Sequence, residues 1–134
     1  MVRHPSLSIP PGETLLDVLR WRAEHQSEQP AYVFLRDGIS PDTVLTYRQL
    51  DATARSIAGD LQSRFAPGDR LLLVYPPGLE FVQAFWGALY AGLVAVPVPP
   101  PDAYRAKVGV ARVQRIAEDA GAAGALSTNQ ILEL

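Results

Sequence analysis

The chain has 134 residues, 48% hydrophobic and 19% charged, which is the size and composition of one folded domain and excludes a disordered segment. A net charge of −2 provides no basic excess for a nucleic-acid interface. The absence of cysteine excludes disulfides, thiolate zinc sites and a cysteine nucleophile, and two histidines argue against a multi-histidine metal site.

The N-terminal third predicts a tail, one helix and a hairpin. Residues 1–13 form the tail, and prolines at 5, 10 and 11 stand where a signal peptide would have its apolar segment. A helix runs from Thr14 to about Ser27, because Thr14 and Asp17 have the spacing of a capping box. Strands at 31–36 and 43–45, joined by Asp37-Gly38 and Ser40-Pro41-Asp42, predict a hairpin.

A second helix, beginning at Thr46, has the clearest amphipathic pattern in the chain. Thr46 and Gln49 have the spacing of another capping box. The apolar residues of one face are Leu50, Ala54, Ile57, Ala58, Leu61 and Phe65. This spacing predicts a helix packed on a core, and Ala66-Pro67-Gly68-Asp69 ends it.

The remaining sequence alternates apolar strands with helices. Strands are predicted over 70–75, 93–98 and 122–126, and helices over 79–91 and 104–120, with a further helix starting near Gln130. Strands that are apolar on both faces indicate a parallel sheet covered by helices on both sides. We therefore predict an α/β fold with three layers, a mostly parallel sheet and an N-terminal hairpin.

One stretch has the length of a membrane span. Residues 81–101 carry no charge, and a spanning helix needs about 20 apolar residues. Gly92 and the prolines at 97 and 99–101 interrupt it, however, which favours a buried helix followed by a buried strand. We therefore predict no membrane span.

The segment Tyr75-Pro76-Pro77-Gly78-Leu79-Glu80 lies between a strand and a helix, where α/β proteins bind phosphates. One glycine makes no glycine-rich fingerprint, two prolines lack N–H groups, and Glu80 repels an anion. A structural turn with a carboxylate at the helix N-terminus is the favoured interpretation.

Two further segments have both a functional and a structural interpretation. The Pro97–Pro101 segment resembles a polyproline recognition motif, but its place after a buried strand favours a rigid exit loop. The last long helix carries Arg105, Lys107, Arg112 and Arg115, with an Arg115–Asp119 pair expected at i,i+4. These cations could bind an acidic partner such as a carrier protein, although a solvated helix face is favoured.

The remaining titratable residues predict no active site. His4 and His25 are far apart in the sequence, and no serine-hydrolase motif is present. The acidic residues Glu13, Asp17, Glu118 and Asp119 have the positions of ordinary helix carboxylates. We therefore assign no catalytic, cofactor-binding or metal-binding residue to this chain.

Three segments resemble acyl-adenylate-forming enzymes. Leu45-Thr46-Tyr47-Arg48-Gln49-Leu50 is similar to the family's L-T-Y-x-E-L helix entry, with glutamine in place of glutamate. Pro67–Leu73 resembles the G-D-x-V strand, and Leu89–Pro97 resembles the L-x-A-G-x-x-x-V-P segment. All three occur in the family's order, over roughly residues 14–134. The resemblance implies that this region is the N-terminal part of an AMP-binding (adenylation) domain, incomplete at its C-terminal end.

Within this superfamily, the fatty acyl-AMP ligases fit best. The segments that carry the likeness are residues 75–81, 96–102, 115–120 and 126–128. The resemblance implies a parent protein that activates a fatty acid with ATP and Mg²⁺ to acyl-adenylate, then transfers the acyl group to a phosphopantetheine carrier. The family's Ser/Thr/Gly-rich phosphate loop and late lysine are absent here, so the resemblance transfers no catalytic residue and the chain alone is expected to be inactive.

Two alternatives remain open at this point. One is a complete, non-catalytic α/β module that docks a carrier protein or another subunit; the other is a small flavodoxin-like nucleotide-binding domain. The ligase hypothesis implies the remainder of the adenylation domain and an acyl carrier protein as partners. It further implies a cytoplasmic location and self-association through apolar surface left uncovered.

Overall fold

The structure, a computed structural model, describes residues 11–132, so most of the predicted tail and His4 lie outside it. The helices are α1 (Leu15–His25), α2 (Tyr47–Gln62), α3 (Leu79–Tyr90), α4 (Ala106–Ala120) and α5 (Asn129–Leu132). The strands are β1 (Pro30–Leu35), β2 (Pro41–Thr46), β3 (Arg70–Val74), β4 (Val94–Val98) and β5 (Gly124–Ser127). None of the helices in the described residues is both long and apolar enough to span a bilayer.

Both predicted capping boxes are formed. The Asp17 N–H donates to Thr14 Oγ1 at 3.2 Å, and the Thr14 N–H donates to Asp17 Oδ2 at 3.0 Å. At α2, the Gln49 N–H donates to Thr46 Oγ1 at 3.3 Å, and the Thr46 N–H donates to Gln49 Oε1 at 3.0 Å. Each box satisfies N–H groups that have no partner inside the helix, which fixes the start of α1 and α2.

The hairpin β1–β2 is antiparallel and longer than predicted. Pro41 belongs to β2 and lies opposite Leu35, whereas the sequence predicted Ser40-Pro41-Asp42 as turn residues. The turn instead begins at Asp37, whose Oδ1 accepts the N–H groups of Ile39 at 2.9 Å and Ser40 at 2.6 Å. These hydrogen bonds complete the turn before Pro41, so the second strand starts two residues earlier than expected.

The second sheet has the order β4-β3-β5, and both pairs of neighbours are parallel. The central strand, β3, pairs on both sides: Leu71 lies opposite Ala95 of β4 and Gly124 of β5. Pro97 fits into β4 because β4 is an edge strand in the described sheet, where a missing N–H costs no ladder bond on the open side. This arrangement confirms the parallel sheet and the separate N-terminal hairpin.

Helices cover both faces of this sheet, as predicted. Leu71 and Leu73 of β3 point towards α2 and α3, where Ala58, Leu61, Ala84 and Ala88 are buried against them. Leu72 and Val74 point the other way, towards Val113, Ile116 and Ala117 of α4. The alternation of β3 side chains between two apolar layers explains why the whole strand is apolar in sequence.

The contact between α2 and α3 depends on Gly87. A Cβ placed at Gly87 would lie 2.7 Å from the Ile57 Cβ of α2, closer than two carbon atoms can approach without a shift. The absence of a side chain therefore lets the two helices approach closely. Phe81 and Phe85 of α3 then pack on the sheet side, and Val82 and Trp86 pack towards α1 and the hairpin.

A polar cluster links α1 to α2 and α3. The Tyr90 hydroxyl donates to Asp51 Oδ1, and the Arg55 Nε donates to Asp51 Oδ2 at 2.8 Å. The guanidinium groups of Arg20 and Arg55 lie 5.2 Å and 5.3 Å from the centroid of the Tyr90 ring. Burial, followed by the hydrogen bond to Asp51, raises the pKa of Tyr90 to about 12.

The C-terminal third differs from prediction in three details. The predicted helix over 104–120 opens with a 3-10 turn at Ala103–Arg105, and the α-helix starts at Ala106. Gly121 ends α4 in the left-handed region at φ 59°, and the Ala122 N–H closes the cap on the Ala117 carbonyl. Because Ala122 is part of this cap, β5 starts at Gly124 rather than at 122. The edge strand β4 is also less buried than expected, with Val94 49% exposed.

Candidate functional site

The carboxyl ends of β3, β4 and β5 meet at one edge of the parallel sheet, which is where open α/β sheets bind ligands. A hydrogen bond joins two of these ends: the Ser127 Oγ donates to the Val74 carbonyl oxygen at 2.7 Å. The loops after β3 and β4 contain Pro76-Pro77-Gly78 and Pro99-Pro100-Pro101. Two clefts open beside these loops, one on each side of Tyr75.

The larger cleft, here called the β5 cleft, has a volume of about 640 Å³. It lies between α2, α3 and the end of β5. Its polar side chains are Asp60, Arg64, Tyr75, Glu80, Gln83, Ser127, Thr128 and Asn129. Its apolar floor is formed by Ile57, Leu61, Phe65, Ala84, Ala125 and Leu126. The cleft is thus amphipathic and opens next to the free edge of β5.

Two side-chain hydroxyls in the β5 cleft are shielded from water. Thr128 Oγ1 is buried, and no hydrogen-bond partner for it exists within residues 11–132. Burial, assisted by the nearby charge of Glu80, raises the pKa of the Tyr75 hydroxyl. Tyr75 therefore stays neutral at physiological pH and offers a hydroxyl rather than a phenolate to the cleft.

The smaller cleft, here called the proline cleft, has a volume of about 450 Å³. Its lining is Leu73, Tyr75, Pro76, Pro77, Phe81, Pro97, Val98, Pro99 and Pro100. The segment 97–101, predicted as a rigid exit loop, splits between the end of β4 and this wall. The Tyr75 hydroxyl is the one polar side-chain group among these lining residues, so the cleft provides apolar contact and no charge.

The residues at this edge do not fit the phosphates of a nucleotide. The turn after β3 carries two prolines without N–H groups, and the first turn of α3 carries the anionic Glu80. This agrees with a structural turn that places a carboxylate at the positive end of α3. Residues 11–132 contain no cluster of three or more histidine, cysteine, aspartate or glutamate side chains that could hold a metal ion.

The other titratable residues considered from sequence lie away from both clefts. His25 stacks on Trp21 with 4.6 Å between ring centroids, and its Nδ1 lies 2.9 Å from the Trp21 carbonyl oxygen. Asp17 is the capping carboxylate of α1, and hydrogen bonds from Thr14 hold its pKa below the usual value. Glu118 and Asp119 are exposed in the last turn of α4. None of these side chains reaches either cleft.

The cations Arg105, Lys107, Arg112 and Arg115 are all exposed on the outer side of α4 and its preceding turn, as predicted. The prediction of an Arg115–Asp119 ion pair is wrong, because the two side chains do not form one. The ion pairs among the described residues are Arg36–Asp42, Arg48–Glu28 and Arg55–Asp51. An exposed ion pair on a helix contributes less than about 0.5 kcal/mol to stability, so the two side chains can be solvated separately at little cost.

Sequence reasoning missed the β5 cleft. Its walls come from α2, from α3 and from the end of β5, which are separated by tens of residues in the chain. The sequence pattern gives Asp60 and Arg64 no functional role, and it singles out residues 126–128 only through the family resemblance. Such a cleft has no local signal, because the crossing of α2 over the sheet creates it.

The AMP-binding enzyme family matches residues 19–133 of the chain. A medium-chain-fatty-acid–[acyl-carrier-protein] ligase, JamA, from Moorena producens is 46% identical over 116 residues, which cover 87% of this chain and 20% of that protein. A fatty acid AMP ligase structure from Legionella pneumophila is 38% identical with a TM-score of 0.78, covering 88% of this chain and 20% of the other.

A second Legionella structure shows a fatty acyl-adenylate ligase in complex with acyl adenylate and pyrophosphate. Its identity to this chain is also 38%, with a TM-score of 0.78 and the same coverage of both chains. The chain thus spans about one fifth of the length of these relatives. The family match over residues 19–133 begins inside α1 and extends through β5, so it includes the hairpin, both helical layers and the parallel sheet.

Proposed function

This chain belongs to the AMP-binding enzyme family, and we propose that its parent protein is a fatty acyl-AMP ligase that charges a carrier protein. The observation that carries this proposal is the family match over residues 19–133, joined to 46% identity with a fatty-acid–[acyl-carrier-protein] ligase. The 0.78 TM-score to a fatty acid AMP ligase supports the same branch through the fold.

The proposed reaction has two steps. A carboxylate oxygen of the fatty acid attacks the α-phosphorus of ATP, the bond to the bridging oxygen breaks, and pyrophosphate leaves. The phosphopantetheine thiolate of the carrier then attacks the acyl carbonyl carbon, and AMP leaves. The bound acyl adenylate and pyrophosphate in one similar ligase are the products of such a first step, which supports the proposal. We place the reaction in the cytoplasm.

Residues 1–134 act in this proposal as scaffold. We assign the phosphate-binding elements and the Mg²⁺ site to other segments of the parent, because the turn after β3 contains two prolines without N–H groups and Glu80 lies in the first turn of α3. Phosphoryl-transfer chemistry needs positioned donors and metal to stabilise developing charge. We therefore expect the chain alone to be inactive.

The remainder of the adenylation domain is the first partner of this scaffold. The order β4-β3-β5 matches the first three strands of the 2-1-3-4-5 doubly wound order, in which a fourth parallel strand pairs with the third. In the described residues β5 pairs on one side alone, and the β5 cleft opens beside its other side. We propose that later segments of the parent extend the sheet at β5 and fill this cleft. Without them, the edge favours self-association.

Adenylate formation tests the proposal. The 134-residue chain and the protein encoded by its full native reading frame are each incubated with ATP, Mg²⁺ and fatty acids of graded length. Hydroxylamine traps acyl-adenylate as hydroxamate, and exchange of labelled pyrophosphate into ATP reports the reverse step.

The expected result is hydroxamate and exchange with the parent and neither with the chain. Activity of the purified chain would overturn its assignment as scaffold. A parent that forms no adenylate with any fatty acid would overturn the ligase function itself.

A further inference from the structure

We draw no further inference here: the strongest candidate, the amphipathic β5 cleft between α2, α3 and the end of β5, belongs to the surface that the proposed function already assigns to later segments of the parent.

Discussion

Helices cover the two faces of the parallel sheet to different degrees. On one face, α2 and α3 bury Ala58, Leu61, Ala84 and Ala88 against β3. On the other face, α4 covers Leu72, Val74 and Val98, yet no residue of α4 itself is buried. A single helix shields the strand beneath it but leaves its own flanks open. The comparison shows that α2 and α3 contribute buried residues to their side of the sheet, whereas α4 contributes none to the other side.

A second incomplete region lies at the edge of β5 that has no strand partner in the described residues, where the β5 cleft opens between β5 and the α2–α3 layer. No side chain in β5 or α5 is fully buried, and the β5 cleft lies beside them. The chain spans about one fifth of the length of its relatives, and under the proposed function further parts of an adenylation domain pack here. The packing of α2 and α3 on β3 thus forms the stable nucleus of the chain, and α4 and β5 form the region where further segments dock.

The largest expected effect is the loss of stability when a large apolar side chain is truncated to alanine, and it should differ between the two faces of the sheet. Leu73→Ala removes a fully buried side chain from the α2–α3 side and should reduce the free energy of unfolding by about 2–5 kcal/mol. Ile116→Ala removes a half-buried side chain of α4 and should reduce the free energy of unfolding by only about 1 kcal/mol, because folding buries less apolar area at this residue. Urea denaturation measures both, and equal losses would abolish the distinction between the faces.

A smaller effect concerns the closeness of α2 and α3. Gly87→Ala should destabilise the chain by about 1–3 kcal/mol, because the new methyl group collides with Ile57. Gly59→Ala is the matched control: it lies in α2 with no atom within 4 Å of the added carbon. It should stabilise by up to about 1 kcal/mol through helix propensity. Thermal melts compare the two, and equal signs would contradict the packing described here.

The smallest effect is a pH dependence on the α1 side of the nucleus. The pKa of Tyr90 is raised from 10.0 to about 12 in the folded chain, so its contribution to stability is fully present below pH 10. That contribution is lost as the pH rises from about 10 to 12 and the hydroxyl ionises beside Asp51. Urea denaturation at several pH values should show the loss, and Tyr90→Phe should reduce it. If the free energy of unfolding of Tyr90→Phe falls as steeply between pH 10 and 12 as that of the unaltered chain, Tyr90 is not the source of the loss.

Local signals predicted most of the fold. The capping boxes at Thr14 and Thr46 set helix starts that need no tertiary contact, and the apolar run of β3 predicted a strand covered on both faces. The errors fall where short polar segments decide the boundary. Asp37 completes the hairpin turn before Pro41, and the cap at Gly121 delays β5. Sequence spacing cannot show these hydrogen bonds in advance.

The candidate site was harder to predict from the sequence than the fold. The cations of α4 are visible in the sequence, but only the folded surface shows that none of them forms an ion pair with another residue between 11 and 132. The β5 cleft joins Asp60 of α2 and Arg64 of the following turn to Thr128, and only the packing of α2 beside β5 brings them together. The prediction that this chain holds no catalytic residue stays a prediction.

Amide hydrogen exchange of the 134-residue chain tests the two-sided account most directly. We expect β3 and α3 amides to exchange only by global unfolding, with protection that follows denaturant stability, because they lie in the buried nucleus. Amides of β5 and α4 should exchange by local opening, at rates that urea barely changes at low concentration. The full native protein should then protect β5 to the level of β3. Uniform protection of all four elements in the isolated chain would show that the α4–β5 side is already complete and contradict the account.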